Sequence, residues 1–255
     1  MSDILQISSA DLTGFNLCIQ PGSSNVIVIS PTQAASLPTA GLRAQWKADS
    51  IEQASGSNII QWDDSSGNGY HITCSFGNFP RLETSGVNGK PAVRFDGFYF
   101  NYVPDLFSGL TEGEAFMVLK ADNDPGVGTT MGLWEFPRND DNTAYPYTDG
   151  VVYDGFMTTA RKTLGNPSTD LETWHVYNST SQASNYVARF NGTVLFSTAA
   201  NTVKTTGARI LGGGSSIYAW YGYIAELIIY DHGLTAGERT NVHLYLNDKY
   251  ALGLP

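Results

Sequence analysis

Residues 186–197 read Tyr-Val-Ala-Arg-Phe-Asn-Gly-Thr-Val-Leu-Phe-Ser. Two β-branched and aromatic runs flank Asn191-Gly192, a dipeptide that favours the type I′ turn because both of its residues accept positive φ. The stretch therefore predicts an antiparallel hairpin. The same texture extends in both directions from residue 41 onward, with short apolar runs separated by Gly, Asn, Asp and Pro. Strands are expected at 43–48, 59–62, 70–74, 92–95, 99–102, 115–120, 131–136, 150–153, 173–178, 208–212 and 222–230. Many short strands at regular spacing predict an all-β sandwich or barrel. The absence of a repeat of 20–50 residues argues against a solenoid or propeller.

One helix is expected, near the C-terminus. Thr235 and Glu238 form a capping box, and Val242, Tyr245, Leu246 and either Lys249 or Tyr250 fall on one face at helical spacing. Gly253 and Pro255 are read as its end, and the helix is expected to lie across a sheet edge.

Three segments together resemble the laminin-G-like, concanavalin A-like domains. They are Leu42-Arg-Ala-Gln-Trp-Lys-Ala-Asp49 with Trp62-Asp-Asp-Ser-Ser-Gly-Asn-Gly69; Asn88-Gly-Lys-Pro-Ala-Val-Arg-Phe-Asp-Gly97; and Gly222-Tyr-Ile-Ala-Glu-Leu-Ile-Ile-Tyr230 with Leu234-Thr-Ala-Gly-Glu-Arg239 and Leu246-Asn-Asp-Lys-Tyr-Ala251. The resemblance covers residues 41–255 and implies a two-sheet antiparallel jelly-roll sandwich with one C-terminal helix. Each segment also has a structural reading. Trp62 packs inward, Asp63 and Ser65 bond turn amides, Gly67-Asn68-Gly69 supplies positive φ, Val93 and Phe95 alternate inward, and 226–230 reads as a central strand. Function on such a scaffold sits on its loops.

Residues 1–40 differ in composition. They lack Trp and Tyr, and no Lys or Arg precedes Arg43. This segment is read as an extended N-terminal arm and linker, with one short strand whose Asn25, Val26, Ile27, Val28 and Ile29 add to a partner's sheet edge during assembly. It offers neither the basic and apolar regions of a secretory signal nor the Arg of a transit peptide. The whole chain of 255 residues carries 14 Lys and Arg against 24 Asp and Glu, for a net charge of −10. That balance argues against nucleic acid and anionic membranes, and no run of residues is long and apolar enough for membrane insertion. Two cysteines, Cys18 and Cys74, are too few for a disulfide framework.

Catalytic signatures are sparse. The Gly-x-Ser-x-Gly, His-Glu-x-x-His and phosphate-loop patterns are missing, as is the glucanase-like Glu-x-Asp-x-x-Glu. Glu112 and Glu114 are the one pair of glutamates two residues apart. Paired carboxylates are what a glycosidase needs, so the chain is expected not to be an enzyme. The loop 138–149 is richer. Arg138, Asn142, Asp149, Tyr145 and Tyr147 combine stacking and hydrogen-bonding groups suited to a glycan, and Asp140 and Asp141 are hard oxygen ligands suited to calcium. The competing reading is a solvated acidic loop whose tyrosines pack on the sandwich. A second aromatic group, Tyr218, Trp220, Tyr221 and Tyr223, is expected to split between core and surface.

An extracellular type of domain without an export signal leads to the expectation of a bacteriophage virion protein, a head decoration or tail fibre. Its arm would bind other virion proteins, it would form a homo-oligomer, and its jelly roll would face a host surface glycan. No cofactor is expected other than calcium. The alternative is a carbohydrate-binding module of a secreted bacterial surface protein, and after it a glycoside hydrolase.

Overall fold

The computed structural model describes residues 15–19, 27–31, 36–75, 77, 79–127, 132–137, 143–207, 209–213 and 220–254. The strands are β1 (Phe15–Ile19), β2 (Ile27–Pro31), β3 (Leu42–Lys47), β4 (Gln61–Trp62), β5 (Ile72–Thr73), β6 (Arg81–Val87), β7 (Lys90–Asp96) and β8 (Gly113–Ala121). They continue with β9 (Trp134–Glu135), β10 (Val152–Asp154), β11 (Lys162–Gly165), β12 (His175–Gln182), β13 (Asn185–Phe190), β14 (Thr193–Thr198), β15 (Ile210–Leu211) and β16 (Tyr221–Tyr230). Among the described residues one α-helix, α1 (Ala236–Tyr250), follows. The chain divides into two units, Met1–Ser36 and Leu37–Pro255.

In the first unit β1 and β2 form an antiparallel hairpin, with Ile19 opposite Ile27, Cys18 opposite Val28 and Leu17 opposite Ile29. The expected strand thus begins at Ile27, and Asn25 and Val26 lie outside the described residues. One edge of Ile27–Ile29 is taken by a strand within the same unit.

In the second unit an eight-stranded antiparallel sheet runs β14-β13-β12-β8-β16-β7-β6, with β3 also on β16. β16 organises it. Along one edge it pairs with β8; along the other, β7 takes Tyr221–Ile224 and β3 takes Glu226–Tyr230. A bulge between Ile224 and Glu226 shifts the register against β8. Ile224, Leu227 and Ile229 face the larger core, while Ala225, Ile228 and Tyr230 face the helix side. Asn191 and Gly192 both have positive φ, 49° and 79°, so the β13–β14 hairpin closes as the dipeptide predicts. Asn88 and Gly89 repeat the device between β6 and β7, at φ 46° and 81°.

The larger core packs Ala115, Met117 and Leu119 of β8 against Trp62, Trp134, Phe136 and Leu211. These last come from the ladders β4–β5 and β9–β15 and the turn after β9; a third ladder, β10–β11, adds Val152 and Leu164. The fold is therefore all-β with one helix. Opposite the large sheet the described residues form short ladders, because Gly, Pro and irregular turns interrupt each run. One expected strand, 99–102, is reduced to isolated bridges at Phe100 and Tyr102.

Helix α1 lies on the other face of the sheet, where Val242, Leu246 and Tyr250 are buried with Phe116, Val118 and Ile228. Its position on a face corrects the expectation of an edge. The capping box forms, with the Glu238 amide donating to Thr235 Oγ1 at 3.3 Å and the Thr235 amide to Glu238 Oε2 at 2.9 Å. The helix stops at Tyr250 and Ala251 takes a left-handed conformation, ahead of Gly253. Asn88 Nδ2 donates to the carbonyls of Tyr250 and Ala251, both at 2.9 Å.

The Trp62–Gly69 turn is held by Asp64, not Asp63. Asp64 Oδ1 accepts from the Gln45 and Ser66 amides at 2.9 and 2.8 Å, and Oδ2 from the Tyr70 amide at 3.0 Å. Asp63 instead pairs with His71 at the surface.

Candidate functional site

Of the loop expected to carry binding, Arg138, Asp140, Asp141 and Asn142 lie outside the described residues. The described part runs from Thr143. Ala144 bridges Tyr153, which turns the next side chain inward. Tyr145 is 1% exposed. It stacks on Phe190 at 16° and meets Tyr177 edge-on at a centroid distance of 5.1 Å. Tyr145 is thus a core residue and not a sugar platform. Its hydroxyl donates to His175 Nε2 at 2.7 Å, while His175 Nδ1–H donates to the Thr173 carbonyl at 2.7 Å. Burial pulls the His175 pKa down to about 4, so the ring is neutral at pH 7.

Tyr147 differs. A turn between the Tyr147 carbonyl and the Gly150 amide lifts it to 39% exposure. Its ring stands perpendicular to Tyr153 at 6.0 Å, and the Arg161 guanidinium lies 4.5 Å over the Tyr153 ring. Asp149 is exposed; it accepts from the Val151 amide at 2.9 Å and from the Tyr153 hydroxyl at 3.3 Å. The loop thus joins two expected residues, Tyr147 and Asp149, to two that sequence reading did not single out, Tyr153 and Arg161. A signal for Tyr153 existed: with Val152 directed inward on β10, its neighbour must face outward. The combination offers an apolar ring face beside a carboxylate and a guanidinium.

Beneath this loop lies a polar centre of the core. Asp154, 2% exposed, accepts from Trp134 Nε1 at 2.7 Å and from the Gly155 and Phe156 amides at 2.7 and 3.2 Å on one oxygen. Its other oxygen takes the hydroxyls of Tyr177 and Tyr186, both at 2.6 Å, and Ser179 at 3.0 Å. Burial, and then the Asp154 charge, push both tyrosine pKa values well up. These donors fix the floor on which β10 and the 147–153 turn sit.

The second aromatic group divides. Tyr218 lies outside the described residues. Trp220 is fully buried and donates to the Tyr145 carbonyl at 3.1 Å. Tyr221 is exposed, and Tyr223 is half-buried under the Arg94 guanidinium at 4.6 Å. Glu112 and Glu114 are both engaged within the fold. Glu112 accepts from Gln182 and the Gly233 amide. Glu114, fully buried, holds Arg239 with both oxygens at 2.6 and 3.0 Å and accepts from the Leu234 amide at 2.9 Å.

One further concavity opens on the helix side of the sheet, between β12, β13 and the first turns of α1, with a volume of about 440 Å³. This lies in the range of small-ligand pockets. Phe116 and Val176 contribute its apolar lining, and Arg189, Asn191, Thr193 and Thr240 its polar groups. Among the described residues no group of three or more His, Cys, Asp or Glu side chains is placed to hold a metal ion.

No protein-family model matches the sequence, and no curated protein matches it. Solved structures do match. A Trypanosoma rangeli sialidase in complex with 2,3-difluorosialic acid is similar with a TM-score of 0.54 at 13% identity, over 84% of this chain and 34% of that one. Domain 4 of AbnA, a GH43 extracellular arabinanase from Geobacillus stearothermophilus, in complex with arabinotriose, gives 0.53 at 16% identity, over 81% and 97%. The binding domain of Paraclostridial Mosquitocidal Protein 1 gives 0.54 at 13% identity, over 81% and 51%. At such identities the likeness is one of fold, and the chain spans about a third of the sialidase chains that it matches. The expectation that the chain is not an enzyme is corrected here. The fold occurs within glycoside hydrolase chains, so a missing carboxylate motif does not set this chain apart from them. The chain shares its fold with glycan-active and binding proteins.

Proposed function

We propose that the chain is a glycan-binding domain of lectin-like sandwich architecture, and that Tyr147 and Tyr153 form its platform. The observation that carries this reading is the perpendicular tyrosine pair, Tyr147 exposed and Tyr153 half-buried, flanked by Asp149 and Arg161. Sugar rings stack their apolar faces on aromatics while carboxylates and guanidinium groups take their hydroxyls. The neighbours whose structures hold sialic acid derivatives or arabinotriose support the ligand class. Calcium on Asp140 and Asp141 belongs to the same proposal, and a higher melting temperature with calcium than with chelator is its expected sign. The test is a glycan array followed by titration, with hydrolysis of each bound glycan measured in parallel. Tyr147→Ala should weaken binding about tenfold, the equivalent of about 1.4 kcal/mol of stacking. Unchanged affinity would refute the platform.

The hairpin unit Met1–Ser36 supports a second, wider reading: the chain sits on a virion surface, with this unit joining it to other virion proteins or to further copies of itself. Among the described residues β1 and β2 pair only with each other, and an outer strand edge is where strand addition takes place. Removing residues 1–36 should then abolish incorporation into particles, and full incorporation of the shortened chain would refute this role.

A further inference from the structure

We propose that the groove between β12, β13 and α1 binds a carboxylated sugar, with the carboxylate on Arg189 and the hydroxyls on Asn191, Thr193 and Thr240. This rests on the reading of the chain as a glycan-binding domain and adds a ligand class and a second place. Arg189 is the centre. Both of its hydrogen bonds among the described residues leave from Nη1, to Asn178 Oδ1 at 2.9 Å and Thr180 Oγ1 at 3.0 Å. They pin the planar fork and leave Nε and Nη2 to present two parallel donors, the geometry that a carboxylate matches.

Arg189 lies close enough to feel a second guanidinium, Arg239, which already engages both oxygens of the buried Glu114 and also feels the Glu238 carboxylate. Burial, and then the Arg239 charge, lower the Arg189 pKa while the Glu114 charge opposes them, and an added anion would favour the charged guanidinium.

The rest of the groove is neutral and suited to hydroxyls. Asn191 Oδ1 is occupied by the Val176 amide at 2.9 Å, which turns its amide nitrogen out as a donor. Thr240 Oγ1 donates to the Ala236 carbonyl at 2.9 Å and keeps its lone pairs for an incoming hydroxyl. Phe116 and Val176, each 1% exposed, close the base of the groove. Bare anions would use Arg189 alone and none of these.

The experiment titrates the full chain with D-glucuronate and N-acetylneuraminate, against glucose, glucuronate methyl ester, acetate and inorganic phosphate. The acids should bind at least tenfold more tightly than the ester or glucose, and acetate and phosphate should not displace them at equal concentration. Arg189→Lys should weaken acid binding at least tenfold. Because Arg189 also braces Asn178, Thr240→Trp provides a second variant at an exposed helix position. It fills the groove and should block binding with an unchanged melting temperature. Equal binding of acid and ester, equal binding of acetate or phosphate, or acid binding that survives both variants would overturn the proposal. Tyr147→Ala separates the two sites. Acid binding lost in that variant overturns the groove and leaves the loop, whereas Arg189-dependent acid binding beside Tyr147-independent glycan binding overturns the loop and leaves the groove.

Discussion

Asp154→Asn is the substitution whose consequence follows most directly from the core. The side chain keeps its shape but exchanges one acceptor oxygen for an amide donor. In one orientation the amide meets Tyr177, Tyr186 and Ser179; in the other it meets Trp134 Nε1 and two backbone amides. The first is the milder, since hydroxyls rotate, yet the two tyrosine protons lose their acceptor in a site that is 2% exposed. Hydrogen bonds to a charged group are worth about 1.5–3 kcal/mol each, so two amount to about 3–6 kcal/mol. Removing a buried charge returns part of this. A net loss of about 3 kcal/mol is expected, a large share of a typical stability of about 5–15 kcal/mol. For a chain of this size it lowers the melting temperature by about 6–12 °C. Urea denaturation followed by tryptophan fluorescence measures it. Tyr177→Phe made in both backgrounds isolates the bond: it should be destabilising in the parent and nearly silent beside Asp154→Asn, a coupling of about 1 kcal/mol or more. A variant within about 1 kcal/mol of the parent, with additive effects, would refute the assignment of Asp154 as the organiser of the core.

Three further outcomes are expected. Folded His175 takes a proton only near pH 4, whereas an unfolded histidine takes one near about pH 6.5. Between these values the unfolded chain binds the extra proton, so stability should fall as pH drops through this window, by up to about 3 kcal/mol. Denaturation midpoints of the parent and of His175→Gln at pH 7 and pH 4.5 measure it, and the variant should show the smaller drop. Glu114→Leu leaves Arg239 without its carboxylate and should cost about 3–5 kcal/mol in a melt, while Glu114→Leu with Arg239→Met should recover much of it. A Cβ on Gly222 would stand 2.4 Å from the Lys120 carbonyl and 2.6 Å from the Trp220 ring. Gly222→Ala should therefore lose about 1–3 kcal/mol by overpacking, read as a lower midpoint with an unchanged slope.

The parts of the fold that were legible in the sequence are those set by local chemistry. Asn191-Gly192 has only one economical turn to make, and Thr235 with Glu238 satisfies two helix amides within one turn. Val93 and Phe95 point inward because strand alternation leaves them no other side. β6 escaped notice because a register shift between Glu83 and Val87 breaks its alternation, although Asn88-Gly89 marks the turn that closes it. In the candidate loop the difficulty was parity. Tyr145 and Tyr147 are two apart and would share one face of a strand, but the turn that starts at Tyr147 separates them, so one is core and the other is surface. The groove was invisible for another reason. Glu114, Arg189 and Arg239 meet only through pairing of β8, β12 and β13 and the docking of α1, which no local pattern encodes.

The two buried carboxylates of the helix-facing sheet surface also have a mechanical meaning. Glu114 grips Arg239 near the start of α1, and Glu226 grips Lys249 at 2.8 Å near its end. The grips are ten residues apart along the chain, or about 15 Å of helix. The helix is thus riveted at two points with an apolar seam between them. A load along its axis strains both rivets together, in shear, whereas a pull at the last turn peels them one after the other. Loosening that begins at Tyr250 breaks the Lys249 rivet first and leaves Arg239 seated. The wall of the groove, which belongs to the first turns, can outlast the fraying of the rest.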